Sequence, residues 1–143
     1  MTVLSFKKGS VIFRENSWEL SMYDVVSGKV GIYSGYGTEN ETLLTQLEKG
    51  RYFGEMGLID AMPRSATAVA LEDCEVNLIK VEDFDSFIEK DPEKIFEIFQ
   101  NLCGRLRELS NEYIDACETA AQYVEAYEEN KPQKKGLIQK IKK

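Results

Sequence analysis

Histidine is absent from the 143 residues, so the chain has no imidazole for a Ser-His-Asp or Cys-His nucleophile system and no histidine-based metal site. Most familiar enzyme chemistries are thereby excluded, and no other residues support a catalytic role or a bound cofactor. Cysteine is scarce. Cys74, Cys103 and Cys117 are an odd number without a C-x-x-C pair, which fits neither a disulfide framework nor a zinc or iron–sulfur clip. They read as small buried apolar residues of a reducing compartment. No stretch of about 18 consecutive apolar residues occurs, and Met1 to Lys8 holds no apolar segment behind a basic start, so a cytoplasmic protein without a membrane span is expected. Gly28, Gly31, Gly35 and Gly37 do not form G-x-G-x-x-G, and the P-loop pattern is missing, so these are turn glycines.

What is present is acid. With 25 acidic and 18 basic side chains the formal charge is −7, and such a surface repels phosphate backbones. The charge is segregated: residues 131–143 hold six lysines and no acid, leaving residues 1–130 at −13. This basic tail could touch anionic lipid, nucleic acid or an acidic partner, with Leu137, Ile138 and Ile141 along one side of a short helix, or could simply be solvated. Hydrophobic residues make up 43% of the chain, enough at this length for one core.

From Val11 to Val81 short apolar runs alternate with glycine, asparagine and charged pairs, the pattern of short strands and tight turns. Val11-Ile12-Phe13, Asp24-Val25-Val26 and Cys74 to Val81 read as strands. Val30 to Tyr33 leads into a glycine-rich tip, and Thr42 to Leu47 returns, which predicts a hairpin. Strands at this spacing suggest a sandwich or barrel of antiparallel pairs.

Beyond Val81 the period becomes helical. Asp83 to Ile88 reads as a short helix, and Asp91-Pro92 as an N-cap and first helical residue. A helix of roughly 35 residues to about Glu129 follows, some 50 Å long, too long for a domain of this size to cover. Ile95, Phe99, Leu102, Leu106, Leu109, Tyr113, Ala116, Ala120, Tyr123 and Tyr127 recur at alternating steps of four and three along it. That heptad seam predicts homodimerisation, with its first turns packing on the chain's own β-domain.

The stretch Phe53-Gly54-Glu55-Met56-Gly57-Leu58 to Pro63-Arg64-Ser65-Ala66-Thr67 is the most informative. A glycine permits close backbone approach, a helical turn offers unsatisfied N–H groups, an arginine supplies a planar fork, and a carboxylate can accept from a hydroxyl. Together they suit a small phosphate-bearing ligand; the blander alternative is a loop with a surface Glu–Arg ion pair.

Over roughly residues 4–128 the chain resembles the cyclic-nucleotide-binding domain family, shared by Crp-Fnr-like bacterial regulators of the catabolite activator class, kinase regulatory subunits and nucleotide-gated channels. Its phosphate-binding cassette looks like F-G-E-[LM]-[AG]-L, a short spacer, then P-R-[SA]-A-T, and residues 53–67 match it closely. Lys8 to Glu15, Val26 to Val30 and Lys49 to Phe53 also resemble family segments.

The resemblance implies a double-stranded β-helix, or jelly roll, mainly β with α, followed by a long C-terminal dimerisation helix. The implied organisation is a β-roll nucleotide-binding domain over residues 1–92, the long helix over 93–130, and the basic tail over 131–143. It further implies that Glu55 accepts from the ribose 2′-hydroxyl, that Arg64 pairs with the cyclic phosphate, and that Ser65 and the amides near Gly54 to Met56 complete the cradle. Arg105, Leu109 and Ser110 fall where family members touch the purine. Relatives with threonine directly after the cassette arginine tend to favour cGMP; Ser65 stands there, which implies cAMP in preference to cGMP.

The chain also departs from the family. Asn16-Ser17-Trp18-Glu19 occupies a loop where many relatives carry glycine and aspartate, an alteration expected at the pocket rim only. About 14 residues follow Glu129, too few for the winged helix-turn-helix of bacterial relatives, so direct sequence-specific DNA binding is not expected. The function implied is a cyclic-nucleotide sensor that signals through its helix to an unidentified protein partner. The alternatives are a dimeric interaction module that has lost its ligand, or the effector portion of a longer Crp-Fnr-like transcription regulator.

Overall fold

Alternating short apolar runs fold here into two four-stranded antiparallel sheets. The computed structural model describes residues 2–130. The strands are β1 (Thr2–Phe6), β2 (Val11–Phe13), β3 (Ser21–Ser27), β4 (Val30–Ser34), β5 (Thr42–Leu47), β6 (Tyr52–Phe53), β7 (Thr67–Ala70) and β8 (Cys74–Lys80). One sheet runs β1-β8-β3-β6, the other β2-β7-β4-β5. The predicted hairpin is β4 with β5, in register from Val30 opposite Leu47 to Ser34 opposite Thr42. Both sheets give their inward residues to one core, in which Phe13, Val30, Leu47 and Ala68 meet Tyr23, Val25, Phe53 and Val76.

A five-residue helix α1 (Glu55–Ile59) follows β6, and α2 (Val81–Lys90) and α3 (Glu93–Asn130) follow β8. At the start of α3 the Asp91 Oδ1 accepts from the Glu93 amide at 3.3 Å, so Asp91 caps the helix, with Pro92 immediately before its first residue. The described residues divide into two compact units, residues 2–101 and 102–130. The first therefore includes the opening turns of α3. There Ile98 is buried, while its neighbour on the predicted seam, Phe99, is 52% exposed. In these opening turns burial centres on Ile98, with the seam residue Ile95 half-buried.

Within that unit Tyr52 donates its hydroxyl to the Glu97 carboxylate at 3.0 Å, and Lys94 bonds the same oxygen at 3.1 Å. Hydrogen bonds from Lys94 and Tyr52 hold the Glu97 carboxyl below its ordinary range, while burial pushes the Tyr52 hydroxyl up to about 12. In the second unit the described part of α3 leaves Leu106, Leu109, Tyr113, Tyr123 and Tyr127 exposed. Cysteine corrects the expectation of three buried thiols: Cys74 is buried, but Cys103 and Cys117 are exposed on α3. The basic tail expected over 131–143 lies outside the described residues.

Candidate functional site

The site grows from the turn between β6 and α1. Gly54 adopts φ 76°, a left-handed conformation that lets the chain leave the sheet and enter α1 at once. Glu55, the first helical residue, is buried, and Met56 beside it is exposed. A loop then brings the chain back through Pro63 and Arg64 to β7.

Arg64 is the centre of the arrangement. It is a cation with only 3% of its surface exposed. Its backbone is tied to the 16–17 segment: the Arg64 amide donates to the Ser17 carbonyl at 2.9 Å, and the Asn16 amide to the Arg64 carbonyl at 2.8 Å. The guanidinium lies over the Phe13 ring, 4.3 Å from its centroid. Phe13, Tyr23 and Phe53 form one aromatic floor, with Tyr23 and Phe53 stacked at 5.0 Å. Such a floor attracts a desolvated cation.

The fork is largely engaged. Nη1 donates to the Gly54 carbonyl at 2.6 Å, and Nη2 donates to the Ser21 hydroxyl at 3.0 Å and to Glu19 Oε2 at 3.3 Å. Nε is buried and makes no hydrogen bond among the described residues. Glu19 in turn accepts from the Tyr23 hydroxyl through Oε1 at 3.1 Å. Burial first, and then the Glu19 charge, push the Tyr23 hydroxyl up to about 12. The guanidinium also fills the space over the glycines: a Cβ on Gly54 would lie 2.7 Å, and one on Gly57 2.9 Å, from Nη1. A side chain at either position would therefore require the end of the Arg64 side chain to shift.

These contacts revise the expected picture in two respects. Arg64 pairs with Glu19, and the pair is buried on the arginine side, with 2% exposure against 42% for Glu19, rather than lying wholly on the surface. The Asn16 to Glu19 loop, expected to touch only the rim, grips Arg64 directly. Glu19, Ser21, Phe13 and Tyr23 were not legible as site residues, because their contacts with Arg64 span at least 41 residues of sequence; a buried arginine's need for an acceptor was the available signal.

Residues 3–91 match the model of the cyclic nucleotide-binding domain family. The chain belongs to that family. Over 103 residues this cyclic nucleotide-binding domain is 36% identical to the cyclic AMP receptor protein of Thermus thermophilus, covering 72% of this chain and 48% of that one. It is also similar to the crystal structure of Thermus thermophilus catabolite activator protein, with TM-score 0.70 and 33% identity over 82% of this chain and 55% of that one. A shorter match of 70 residues, 36% identical, is to a cGMP-dependent protein kinase of Plasmodium berghei, covering 49% of this chain and 8% of that one. The chain thus spans about half the length of its Thermus relatives.

Of the residues singled out from the cassette, Gly54, Glu55, Met56, Arg64 and Ser65 lie on this one turn-helix-loop segment, Ser65 exposed and Arg64 in direct contact with Gly54. Arg105, half-buried, and Leu109 and Ser110, both exposed, belong to the α3 portion of the second unit. Away from this segment, a concavity of about 340 Å³ lies between Phe6, Lys7, Asp73 and Cys74. Its charged pair, Lys7 with Asp73 at 3.0 Å, is open to solvent, so it has no counterpart to the buried Arg64. No helix of the described residues is long and apolar enough to cross a membrane.

Proposed function

We propose that this regulatory domain binds cAMP in preference to cGMP, with its cyclic phosphate on the Arg64 guanidinium, and passes the event to α3. The observation that carries the reading is the buried Arg64 fork with its unsatisfied Nε, set beside the left-handed turn at Gly54. A buried donor lacking an acceptor is costly, and an incoming phosphate oxygen would supply one. Glu55, buried at the head of α1, is the acceptor proposed for the ribose 2′-hydroxyl; Ser65 and the amides of Gly54 to Met56 complete the phosphate contacts. The preference for cAMP draws support from Ser65 after the arginine and from the name of the Thermus relative.

Signalling through α3 has a physical route. Tyr52 stands two residues before Gly54 and bonds Glu97 on α3, so a shift of the cassette turn pulls on the helix. The exposed seam from Leu106 to Tyr127 supports homodimerisation as the output, read by a partner protein. The assignment of Arg105, Leu109 and Ser110 to the base rests on the family resemblance alone.

Calorimetry with cAMP and with cGMP, on the wild type and on Arg64→Ala, tests the reading. Removing one partner of a desolvated charge pair costs about 2–5 kcal/mol, roughly 30-fold to several thousand-fold in affinity. Ser110→Ala, which removes one neutral hydrogen bond, should cost about 1 kcal/mol. Binding of neither nucleotide, or equal binding by Arg64→Ala, would remove the proposal.

A further inference from the structure

The way Arg64 is satisfied in the free protein bears on how it would take a ligand. A guanidinium grips a phosphate best through two parallel N–H donors on one edge. On the Nε–Nη2 edge, Nε has no acceptor, but Nη2 is shared between Ser21 and Glu19. A two-donor grip on that edge therefore requires Nη2 to give up a partner. Glu19 is the looser one, at 3.3 Å against 3.0 Å for Ser21, and longer than the ~2.7–2.9 Å of a well-formed charge-assisted bond. Its side chain is 42% exposed, so a released carboxylate is rehydrated at once. Serine 21, buried at 3%, has no such exit.

We propose that Glu19 is a displaceable placeholder anion, holding the Nη2 end of the Arg64 fork in the free protein and yielding it to the phosphate of the nucleotide. This rests on the reading of Arg64 as the phosphate partner. Every nucleotide bound then breaks the Glu19–Arg64 pair, and the strength of that pair is subtracted from the affinity. Tyr23 takes part through its bond to Glu19 Oε1, which adds to what must be broken. Removing the carboxylate weakens the free state alone, so it tightens binding where the loss of an ordinary positioning residue would loosen it.

The test is calorimetry of the full chain with cAMP on wild type, Glu19→Gln and Glu19→Ala, with thermal unfolding of each protein without and with saturating cAMP. Asp60→Asn, an exposed carboxylate at the end of α1, controls for the general effect of one less negative charge. A half-exposed pair of this kind corresponds to about a threefold to fivefold gain in affinity for both Glu19 variants, against less than twofold for Asp60→Asn. The Glu19 variants should unfold at lower temperature than wild type when free, and at the same temperature when saturated. Unchanged or weaker binding, an equal gain in Asp60→Asn, or an equal thermal loss in free and saturated protein would overturn the placeholder while leaving Arg64 as phosphate partner. If neither wild type nor variants bind cAMP, the Arg64 reading itself falls, and the placeholder with it.

Discussion

Three glycine-to-alanine substitutions separate backbone strain from the space that the Arg64 side chain occupies. Gly50 has φ 84° and nothing within 4 Å of a built Cβ, so Gly50→Ala reports the left-handed penalty alone, about 1–2 kcal/mol. Gly57 is helical, but its Cβ would sit 2.9 Å from Arg64 Nη1, so Gly57→Ala must push the guanidinium away. That movement sacrifices the 2.6 Å bond from Nη1 to the Gly54 carbonyl, a charge-assisted bond of about 1.5–3 kcal/mol, offset by nearly 1 kcal/mol of helix propensity. A net loss of about 0.5–2 kcal/mol is expected. Gly54→Ala incurs both penalties, φ 76° and a 2.7 Å approach to Nη1, for a loss of about 3 kcal/mol. Urea unfolding of the three variants, each made also in an Arg64→Ala background, gives the decisive comparison. Without the arginine side chain, Gly57→Ala should no longer cost stability and should gain up to about 1 kcal/mol from helix propensity, while Gly54→Ala should fall to the cost of Gly50→Ala. The reasoning is refuted if Gly57→Ala is equally destabilising with and without Arg64, or if Gly54→Ala costs no more than Gly50→Ala.

Burial raises the Asp24 carboxyl above its ordinary range despite a bond from Asn77 and the nearby Lys94, with Glu97 adding repulsion. Its folded pKa thus exceeds the unfolded one, so its ionisation opposes folding; Asp24→Asn should be the more stable protein at neutral pH, with the difference vanishing as acid protonates the wild type, followed by urea midpoints across that range. Tyr23 and Tyr52 are both raised to about 12, so the stability they carry is complete below their unfolded value near 10 and is lost as pH climbs through 12. Absorbance of tyrosinate should show a late step coincident with unfolding, diminished in Tyr23→Phe and in Tyr52→Phe. Leu106 is 65% exposed at the centre of the proposed dimer seam, and Leu106→Lys should give a monomer in sedimentation while preserving nucleotide affinity. A variant that sediments as wild type would displace the seam from the interface.

The features legible in the sequence are those written in local terms. The β4–β5 hairpin announced itself through alternating apolar residues around a glycine-rich tip, and α3 through Asp91-Pro92 and an unbroken heptad. The left-handed Gly54 and the buried Arg64 agree with the cassette pattern. What was illegible is non-local. The edge strand β1 has no turn of its own to declare it and is fixed only by pairing with β8, from 68 residues away at Phe6 opposite Cys74 to 76 at Thr2 opposite Leu78. Glu19 sits 45 residues from Arg64, in a loop expected from the sequence at the pocket rim. Heptad spacing likewise says which residues of α3 share a stripe but not which stripe the β-sheets take, and Ile98 rather than Phe99 turned out to be buried. Cys103 and Cys117 follow the same logic: average burial of thiols has little force on a helix whose faces the chain itself does not cover.

The central claim is that a cyclic phosphate completes the Arg64 fork, and the Nε–H of that residue reports it directly. In nitrogen-15 spectra of the five arginine Nε–H groups, with Arg64 assigned by its loss in Arg64→Lys, titration of cAMP should move the Arg64 resonance in proportion to calorimetric saturation. The account predicts a new hydrogen bond at that nitrogen, seen as a large shift and slowed exchange with water. Saturating nucleotide that leaves the Arg64 Nε–H where it stands in the free protein would contradict it.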